Sequence, residues 1–259
     1  MFDAEKDGRM EGLTSNEVKG WKDSSLCLKK ERGLIVGLTG GIACGKTTVA
    51  RLLAQRGADV IDLDEIGHRL LKKGNPVFEL IVKTFGTGIL DDSGNISRAK
   101  LGRIVFHDSE LRSRLNQITH PAIIEQSLAE AERLATSGTK KIIIIDAPLL
   151  IEAGMQDVVD IVVVVIADEK TQLDRLIQRS VKQKSPYLPL EKGGLSVREA
   201  QARIHSQMPL SEKVKYADFV VENSAGMDEL KTKIVELWDD LKTWEKKIDR
   251  NPKMTEKKT

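Results

Sequence analysis

Apolar runs that lack a helical period alternate with amphipathic stretches along most of the chain. Five runs are predicted to be strands: Leu34–Leu38, Ala58–Asp62, Lys141–Asp146, Asp160–Ala167 and Phe219–Val221. Each run is separated from the next by helical material, and runs that are apolar throughout are typical of strands covered on both faces. The pattern therefore predicts an α/β fold with a five-stranded parallel sheet.

A long segment separates the second and third predicted strands, and it exceeds what a single crossover needs. Amphipathic patterns within it predict helices at Val77–Phe85, Arg98–Phe106 and Leu111–Leu134. We therefore expect a helical subdomain over residues 65–139. Pro121 should kink or break the last helix after His120, because proline lacks an amide donor and clashes with the preceding turn.

Two helices with a polar loop between them are predicted after the fourth strand. Lys170–Ser180 has a helical pattern, and Val181–Gly194 is an irregular polar stretch. Ser196 and Glu199 then form a capping-box pattern at the start of the next helix. An apolar stripe at three- and four-residue steps indicates a last helix that packs on the sheet. It consists of Met227, Leu230, Ile234, Trp238, Leu241 and Trp244.

Composition and charge exclude several classes of protein. The 259 residues are 40% hydrophobic and 31% charged, which is ordinary globular usage and excludes a disordered chain. The net charge of +2 is not that of a polycation, so nucleic acid is not an expected partner, and no apolar run is long enough for a membrane span. Two cysteines favour the cytoplasm over secretion. Residues 1–32 are expected to be a polar extension and residues 241–259 a frayed basic tail.

The first predicted strand leads into a phosphate-binding motif. Gly40–Thr47 matches GxxxxGK[ST] between a strand and a helix, which is the position its mechanism requires. Backbone amides of such a loop and the helix N-terminus bind phosphate, Lys46 reaches the β- and γ-phosphates, and the Thr47 hydroxyl can ligate Mg²⁺. The motif predicts a site for a nucleoside triphosphate with Mg²⁺. The residues of the motif and Thr48, which follows it, are the candidates for binding ATP if that is the nucleotide: Gly40, Gly41, Ile42, Ala43, Cys44, Gly45, Lys46, Thr47 and Thr48.

Other signatures narrow the class of nucleotide-binding protein. The chain has no Asn-Lys-x-Asp for reading guanine and no Ser-Gly-Gly signature of an ABC-type ATPase. A small-molecule kinase fits best, with the helical insertion holding an acceptor. The acceptor stays open at this point, a nucleoside- or shikimate-type kinase being among the possibilities, and so does a nucleotide-gated binding protein.

Seven segments together resemble the dephospho-CoA kinase family over residues 34–240. They are Gly37–Ala50, Val60–Asp64, His120-Pro121, Asp146–Glu152, Thr171–Arg179, Gln201–Ile204 and Ala217–Asn223. The resemblance implies an ATP-dependent phosphotransferase that acts on the ribose 3′-hydroxyl of dephospho-CoA. It also implies a P-loop kinase fold with a nucleotide-binding core over 33–64, 140–179 and 206–240, a helical acceptor-binding insertion over 65–139 and a lid over 180–205. Within that lid, residues 181–194 are an insertion relative to the family.

Carboxylates at the ends of the second and third strands are candidates for catalysis and metal binding. Asp62 and Asp64 end the strand beside the phosphate loop, where the carboxyl ends of parallel strands form a ligand crevice. The resemblance places the catalytic base at Asp64 and gives Asp62 an acceptor-side role; the alternative for Asp64 is an N-cap of the following helix. Asp146 has the position of an acid near Mg²⁺, with a loop-start turn before Pro148 as its alternative.

Arginines on the predicted helix that leads into the lid are candidates for stabilising phosphate charge. Arg175 and Arg179 lie four residues apart on one helical face, and their guanidinium groups suit transferring phosphates. The resemblance assigns Arg175 to catalysis and Arg179 to ATP binding; the alternative is surface pairing with Asp174 or Glu169. Arg203 is a weaker candidate for contact with the acceptor.

The remaining candidates take their roles from the resemblance. It implies that His120 and Glu152 bind the acceptor and that Asn223 lies near the adenine, although sequence alone also permits ordinary turn residues. Cys44 precedes the loop lysine at a helix N-terminus, which predicts a reactive thiolate if the empty loop is open to solvent. The alternative is a buried, inert thiol.

Overall fold

A parallel sheet of five strands lies at the centre of the computed structural model, which describes residues 33–135, 142–182 and 194–250. The strands are β1 (Leu34–Gly40), β2 (Asp59–Asp62), β3 (Ile142–Asp146), β4 (Ile161–Ile166) and β5 (Phe219–Glu222). All pairs are parallel, and the spatial order is β2-β3-β1-β4-β5. The predicted α/β fold and its five strands are confirmed.

Helices connect the strands and cover both faces of the sheet. In chain order they are α1 (Lys46–Ala54), α2 (Leu63–Leu70), α3 (Pro76–Phe85), α4 (Arg98–His107), α5 (Ser109–Ala135), α6 (Glu169–Lys182), α7 (Val197–His205), α8 (Leu210–Val214) and α9 (Met227–Arg250). Short 3₁₀ turns lie at Thr87–Ile89 and Met155–Asp157. No helix in the described parts of the chain is long and apolar enough to cross a bilayer.

Alternate residues of each central strand enter two separate hydrophobic cores. On one face, Leu34, Val36 and Leu38 of β1 pack with buried residues of α1 and α9. On the other face, Ile35 of β1 packs with Ile143 of β3 and with buried residues of α2 and α5. This arrangement explains the uninterrupted apolar runs, because strands covered on both faces have no solvent side.

The helical insertion between β2 and β3 has its own small core, and α5 joins that core to the sheet. Phe78 and Ile81 of α3 are buried in the insertion, where Ile118 of α5 contacts them. Ile124 and Leu128, farther along α5, are buried against the sheet. The predicted break at Pro121 is wrong, because α5 continues through this residue. Packing on both sides of the proline outweighs a local cost of about 3 kcal/mol.

Helices α6 and α7 lie beside the phosphate loop, and α7 falls within residues 180–205, the segment predicted to be a lid. Leu176, Leu195 and Ala200 make a small buried cluster with Ala43 of the loop. The capping box is confirmed, since Ser196 Oγ accepts from the Glu199 amide and the Glu199 carboxylate accepts from the Ser196 amide. Most of the predicted insertion 181–194 lies outside the described residues.

The C-terminal helix extends beyond the predicted end of the core. α9 continues to Arg250, and Leu241 within it is fully buried against the sheet. The expectation of a frayed tail from residue 241 is therefore wrong for its first ten residues, because the apolar stripe continues through Leu241 and Trp244. The predicted extension 1–32 and the last residues, 251–259, lie outside the described residues.

Candidate active site

The loop between β1 and α1 has the backbone shape that phosphate binding requires. Gly45 has φ 90° and Ala43 has φ 59°, so two left-handed residues turn successive amides toward one side. A side chain at Gly45 would also collide with the Asn223 amide, and one at Gly40 would collide with the Val165 carbonyl. These positions need glycine for conformational and steric reasons, and the predicted phosphate loop is present.

Three amide side chains hold this loop from outside. Gln172 of α6 donates from Nε2 to the Ile42 carbonyl at 2.7 Å, and Gln207, which follows α7, accepts from the Ile42 amide at 2.8 Å. Asn223, at the end of β5, donates from Nδ2 to the Cys44 carbonyl at 2.8 Å. When loop amides face the phosphate, loop carbonyls face the protein and need donors. Gln172 and Asn223 supply these donors without adding charge, whereas Gln207 accepts from a loop amide.

Charged groups of opposite sign meet at the end of β3. Lys46 forms an ion pair with Asp146, which is 5% exposed. Burial raises the pKa of Asp146, the Lys46 ammonium opposes the rise, and the carboxylates of Asp62 and Asp64 add to it. Register places Asp62 of β2 beside Asp146 of β3, so these acids meet at the carboxyl ends of neighbouring strands.

A cavity of about 700 Å³ opens over the phosphate loop. This volume lies within the range of about 300 to 1,000 Å³ that is usual for ligand pockets. Twelve of the predicted site residues line it. They are Gly40, Gly41, Ile42, Ala43, Gly45, Lys46, Thr47, Thr48, Asp64, Arg175, Arg179 and Asn223. The structure therefore brings together the residues predicted to bind ATP other than Cys44, the predicted base and both arginines of α6.

A second, more apolar cavity of about 300 Å³ adjoins the first between α2, α5 and the segment after β3. Leu63, Ile123 and Ile124 contribute apolar walls, and His120 contributes a half-buried imidazole whose pKa is lowered by burial. Asp64, Pro148 and Gln207 line both cavities. The predicted base thus lies where the two cavities meet.

Three predicted acceptor residues have other surroundings. Glu152 lines neither cavity, because its carboxylate pairs with the fully buried Lys213 at 2.8 Å. Arg203 of α7 also lies outside both cavities. Asp62 uses Oδ1 to cap α2, accepting from the Asp64 amide at 2.8 Å. The alternative of an N-cap at Asp64 is therefore wrong, since Asp62 has that position.

The expected reactivity of Cys44 is wrong. Its side chain is fully buried in the core beneath the loop, and its Sγ lies 3.2 Å from Gln172 Nε2. Burial raises the pKa of the thiol, and this effect exceeds the lowering by backbone hydrogen bonds and nearby cations. Cys44 does not line the cavity over the loop, its amide donates to the Gly41 carbonyl and its carbonyl accepts from Asn223.

Sequence reasoning missed Gln172, Gln207 and Lys213. Gln207 and Gln172 contact the loop from 165 and 130 positions away, so no local motif marks them. Lys213 Nζ donates to the Pro148 carbonyl at 2.9 Å, which also accepts from the Thr39 hydroxyl at 3.1 Å. These contacts fix the segment that separates the two cavities.

A phosphate loop at the end of the central strand, a carboxylate between two cavities and arginines on a covering helix define a P-loop kinase. Comparison with known proteins identifies its family. A sequence model of dephospho-CoA kinase matches residues 34–229, and the chain belongs to the dephospho-CoA kinase family. It is an ATP-dependent phosphotransferase of coenzyme A biosynthesis, as the resemblance implied.

Individual relatives agree with this assignment in both sequence and structure. Dephospho-CoA kinase of Geobacillus kaustophilus is 42% identical over 82% of this chain and 97% of its own length. A crystal structure from Thermus thermophilus is 30% identical, covers 81% of this chain and 98% of its own, and has a TM-score of 0.65. Dephospho-CoA kinase from Campylobacter jejuni is 27% identical, covers 80% and 96%, and has a TM-score of 0.53.

Proposed function

We propose that this enzyme transfers the γ-phosphoryl group of ATP to the ribose 3′-hydroxyl of dephospho-CoA and that Asp64 is the catalytic base. The observation that carries the proposal is the position of Asp64, which lines both the cavity over the phosphate loop and the adjoining apolar cavity. A hydroxyl that enters from the second cavity reaches the terminal phosphate in the first at this carboxylate.

During phosphoryl transfer Asp64 accepts the proton of the attacking hydroxyl. The 3′-oxygen forms a bond to the γ-phosphorus, the bond from that phosphorus to the bridging oxygen of ADP breaks, and the hydroxyl proton passes to the carboxylate. Asp64 is exposed at the first turn of α2, so solvent can take the proton away afterwards. The Asp62 carboxylate caps the same helix and holds the backbone at Asp64.

Cations around the phosphate loop stabilise charge on the phosphates. In this proposal Lys46 exchanges its ion pair with Asp146 for contact with the β- and γ-phosphates when ATP binds. Arg175 lies against the loop, with Nη1 3.5 Å from the Cys44 carbonyl, and Arg179 lies one helical turn farther along the same cavity wall. Their guanidinium groups suit the oxygens of a phosphoryl group in transfer.

The donor set fits Mg²⁺ bound together with ATP. Asp62 and Asp64 lie close enough to Asp146 to raise its pKa, and one ammonium, that of Lys46, pairs with Asp146. Among the described residues no group of three His, Cys, Asp or Glu side chains forms a metal cage. Mg²⁺ characteristically combines one or two protein oxygens with substrate phosphates, so Thr47 and Asp146 would hold it. The ion would neutralise phosphate charge during transfer.

ADP release measured with different acceptors tests this function. We expect dephospho-CoA to stimulate ADP release, whereas shikimate and nucleosides should not. Stimulation by another acceptor alone would favour a different small-molecule kinase, and no stimulation by any acceptor would favour a nucleotide-gated binding protein. Phosphorylation at the 3′ position is checked by mass spectrometry and phosphorus NMR of the product.

The base assignment is tested by Asp64→Asn, with Asp62→Asn as its matched control. Asp64→Asn should lower kcat by about two to four orders of magnitude, the usual value of general base catalysis, with little change in ATP affinity. Asparagine is as good an N-cap as aspartate, so Asp62→Asn should keep α2 intact and leave most activity. A crippled Asp62→Asn beside an active Asp64→Asn would reverse the assignment.

We also propose a cytoplasmic location for the enzyme. The thiol of Cys44 is free and buried, which suits a reducing compartment. Cell fractionation with detection of the native protein tests the location, and recovery outside the cytoplasmic fraction would contradict it.

A further inference from the structure

Gln207 lies where three parts of the site meet. It follows α7, and its backbone N–H donates to the Ile204 carbonyl at 3.3 Å. This hydrogen bond fixes the backbone at the end of α7. The side chain is half-buried and lines both cavities, together with Asp64 and Pro148. The position is therefore shared by the lid, the nucleotide cavity and the acceptor cavity.

The contact with the phosphate loop fixes the orientation of this amide side chain. Gln207 Oε1 accepts from the Ile42 amide at 2.8 Å, and only the oxygen of a carboxamide can accept from an N–H group. The Nε2 group is therefore the end that is left for other partners. It makes no hydrogen bond to any residue within the described ranges, although it carries two donor protons.

Gln172 and Gln207 both hold the phosphate loop, but only Gln207 is also placed to contact a ligand. Both glutamines bind Ile42, one at its amide and one at its carbonyl. Gln172 is 3% exposed and lines neither cavity, whereas Gln207 lines both. A residue needed only to shape the loop has no need to reach the space in which phosphate and acceptor meet.

We propose that Gln207 is a further catalytic residue, whose Nε2 donates a hydrogen bond to an oxygen of the phosphoryl group in transfer while Oε1 positions the loop. This inference rests on the proposed function. Gln207 exchanges no proton and forms no covalent bond. Its amide is a neutral donor, held in place before the substrate arrives and aimed at oxygens that carry charge during transfer. The lid helix and the phosphate loop then meet at the reacting group through one side chain.

Steady-state kinetics of Gln207→Met and Gln172→Met test the proposal. Methionine has nearly the length of glutamine but no donor, so each variant loses one contact with Ile42. Gln207→Met should lower kcat by about 100-fold or more at saturating ATP and dephospho-CoA, the usual cost of removing a preorganised donor. Gln172→Met should act mainly on KM for ATP. Gln201→Met, on α7 and outside both cavities, is the matched control and should resemble the wild type.

Gln207→Glu separates the two ends of the side chain. It keeps an acceptor for the Ile42 amide but has no donor, so it should retain the wild-type melting temperature and still lose kcat by about 100-fold. Restored kcat in Gln207→Glu, or equal kinetic profiles for Gln207→Met and Gln172→Met, would overturn the proposal and leave Gln207 with loop positioning alone. If Gln207→Met does not fold, Gln207→Glu carries the test.

ADP release by the wild-type enzyme distinguishes a failure of the proposed function from a failure of the inference about Gln207. If the proposed function is wrong, wild-type enzyme shows no ADP release that depends on dephospho-CoA, whatever the variants do. If wild type responds to dephospho-CoA and Gln207→Met responds equally, only the inference about Gln207 is refuted.

Discussion

The buried ion pair between Lys213 and Glu152 offers a direct test of the packing behind the active site. Lys213 Nζ is fully buried on α8 and lies 2.8 Å from Glu152 Oε1, 3.1 Å from Oε2 and 2.9 Å from the Pro148 carbonyl. Replacing Lys213 by methionine keeps most of the buried stem and removes all three contacts. The change therefore isolates the ammonium group.

The loss of stability in Lys213→Met depends on the polar groups that the substitution leaves without a partner. The Pro148 carbonyl keeps the Thr39 hydroxyl as a donor at 3.1 Å, so it contributes little to the cost. Glu152 accounts for most of the cost, because its side chain is only 10% exposed and loses its cation. Breaking a buried pair in this way costs about 3–5 kcal/mol, and we expect the lower end because the carboxyl can protonate. At about 2–4 °C per kcal/mol, Lys213→Met should melt about 6–12 °C below wild type.

Thermal unfolding of Lys213→Met, with Lys215→Met as control, measures this cost. Lys215 pairs with Glu212 at 2.7 Å on the surface, with 64% of its side chain exposed, and such pairs contribute about 0–1 kcal/mol. The double variant Lys213→Met/Glu152→Gln removes the unpaired charge and should recover part of the loss. Equal melting temperatures for Lys213→Met and Lys215→Met would refute the reasoning.

Three further predictions concern the site itself. Lys46→Ala should abolish ADP release and weaken ATP binding, because the loop loses its side-chain charge; wild-type turnover would contradict its role. Iodoacetamide should modify Cys44 only after denaturation, since burial raises the pKa of its thiol; mass mapping that finds rapid native modification would contradict this. Burial lowers the pKa of His120 below its ordinary 6.5, so the free energy of unfolding should decrease as the pH falls below 6.5. His120→Gln should flatten this decrease when the free energy is measured by urea titration, and an unchanged decrease would contradict the burial argument.

Features determined by neighbouring residues were predictable from the sequence. The strands, the phosphate loop and the capping box each depend on residues within a few positions, and all agree with the structure to within one or two residues. The meeting of Asp62 and Asp146 was also predictable, because parallel strands place their carboxyl ends at one edge. The expectation that Asp64 ends a strand beside the phosphate loop is wrong, because Asp64 lies in the first turn of α2 and β3 separates β2 from β1.

Features determined by packing were not predictable in this way. A local rule at Pro121 predicted a break that contacts of α5 with two cores prevent. A helix N-terminus favoured a thiolate at Cys44, but the side chain points into the core, where desolvation dominates. Glu152 stood in a family segment, yet its partner is Lys213, 61 positions away. In each case a distant contact outweighed the local chemistry.

The phosphate loop of this enzyme packs directly against α6 and α7. Ile42 and Ala43 pack in the same hydrophobic cluster as Leu176 of α6 and Ala200 of α7. Gln172 within α6 and Gln207 after α7 both bind the Ile42 backbone. A movement of α6 or α7 relative to the sheet therefore has to disturb either this cluster or the hydrogen bonds to Ile42. Nucleotide affinity should accordingly respond to substitutions within this hydrophobic cluster that touch no phosphate, because the loop keeps its shape only while these helices remain packed against it.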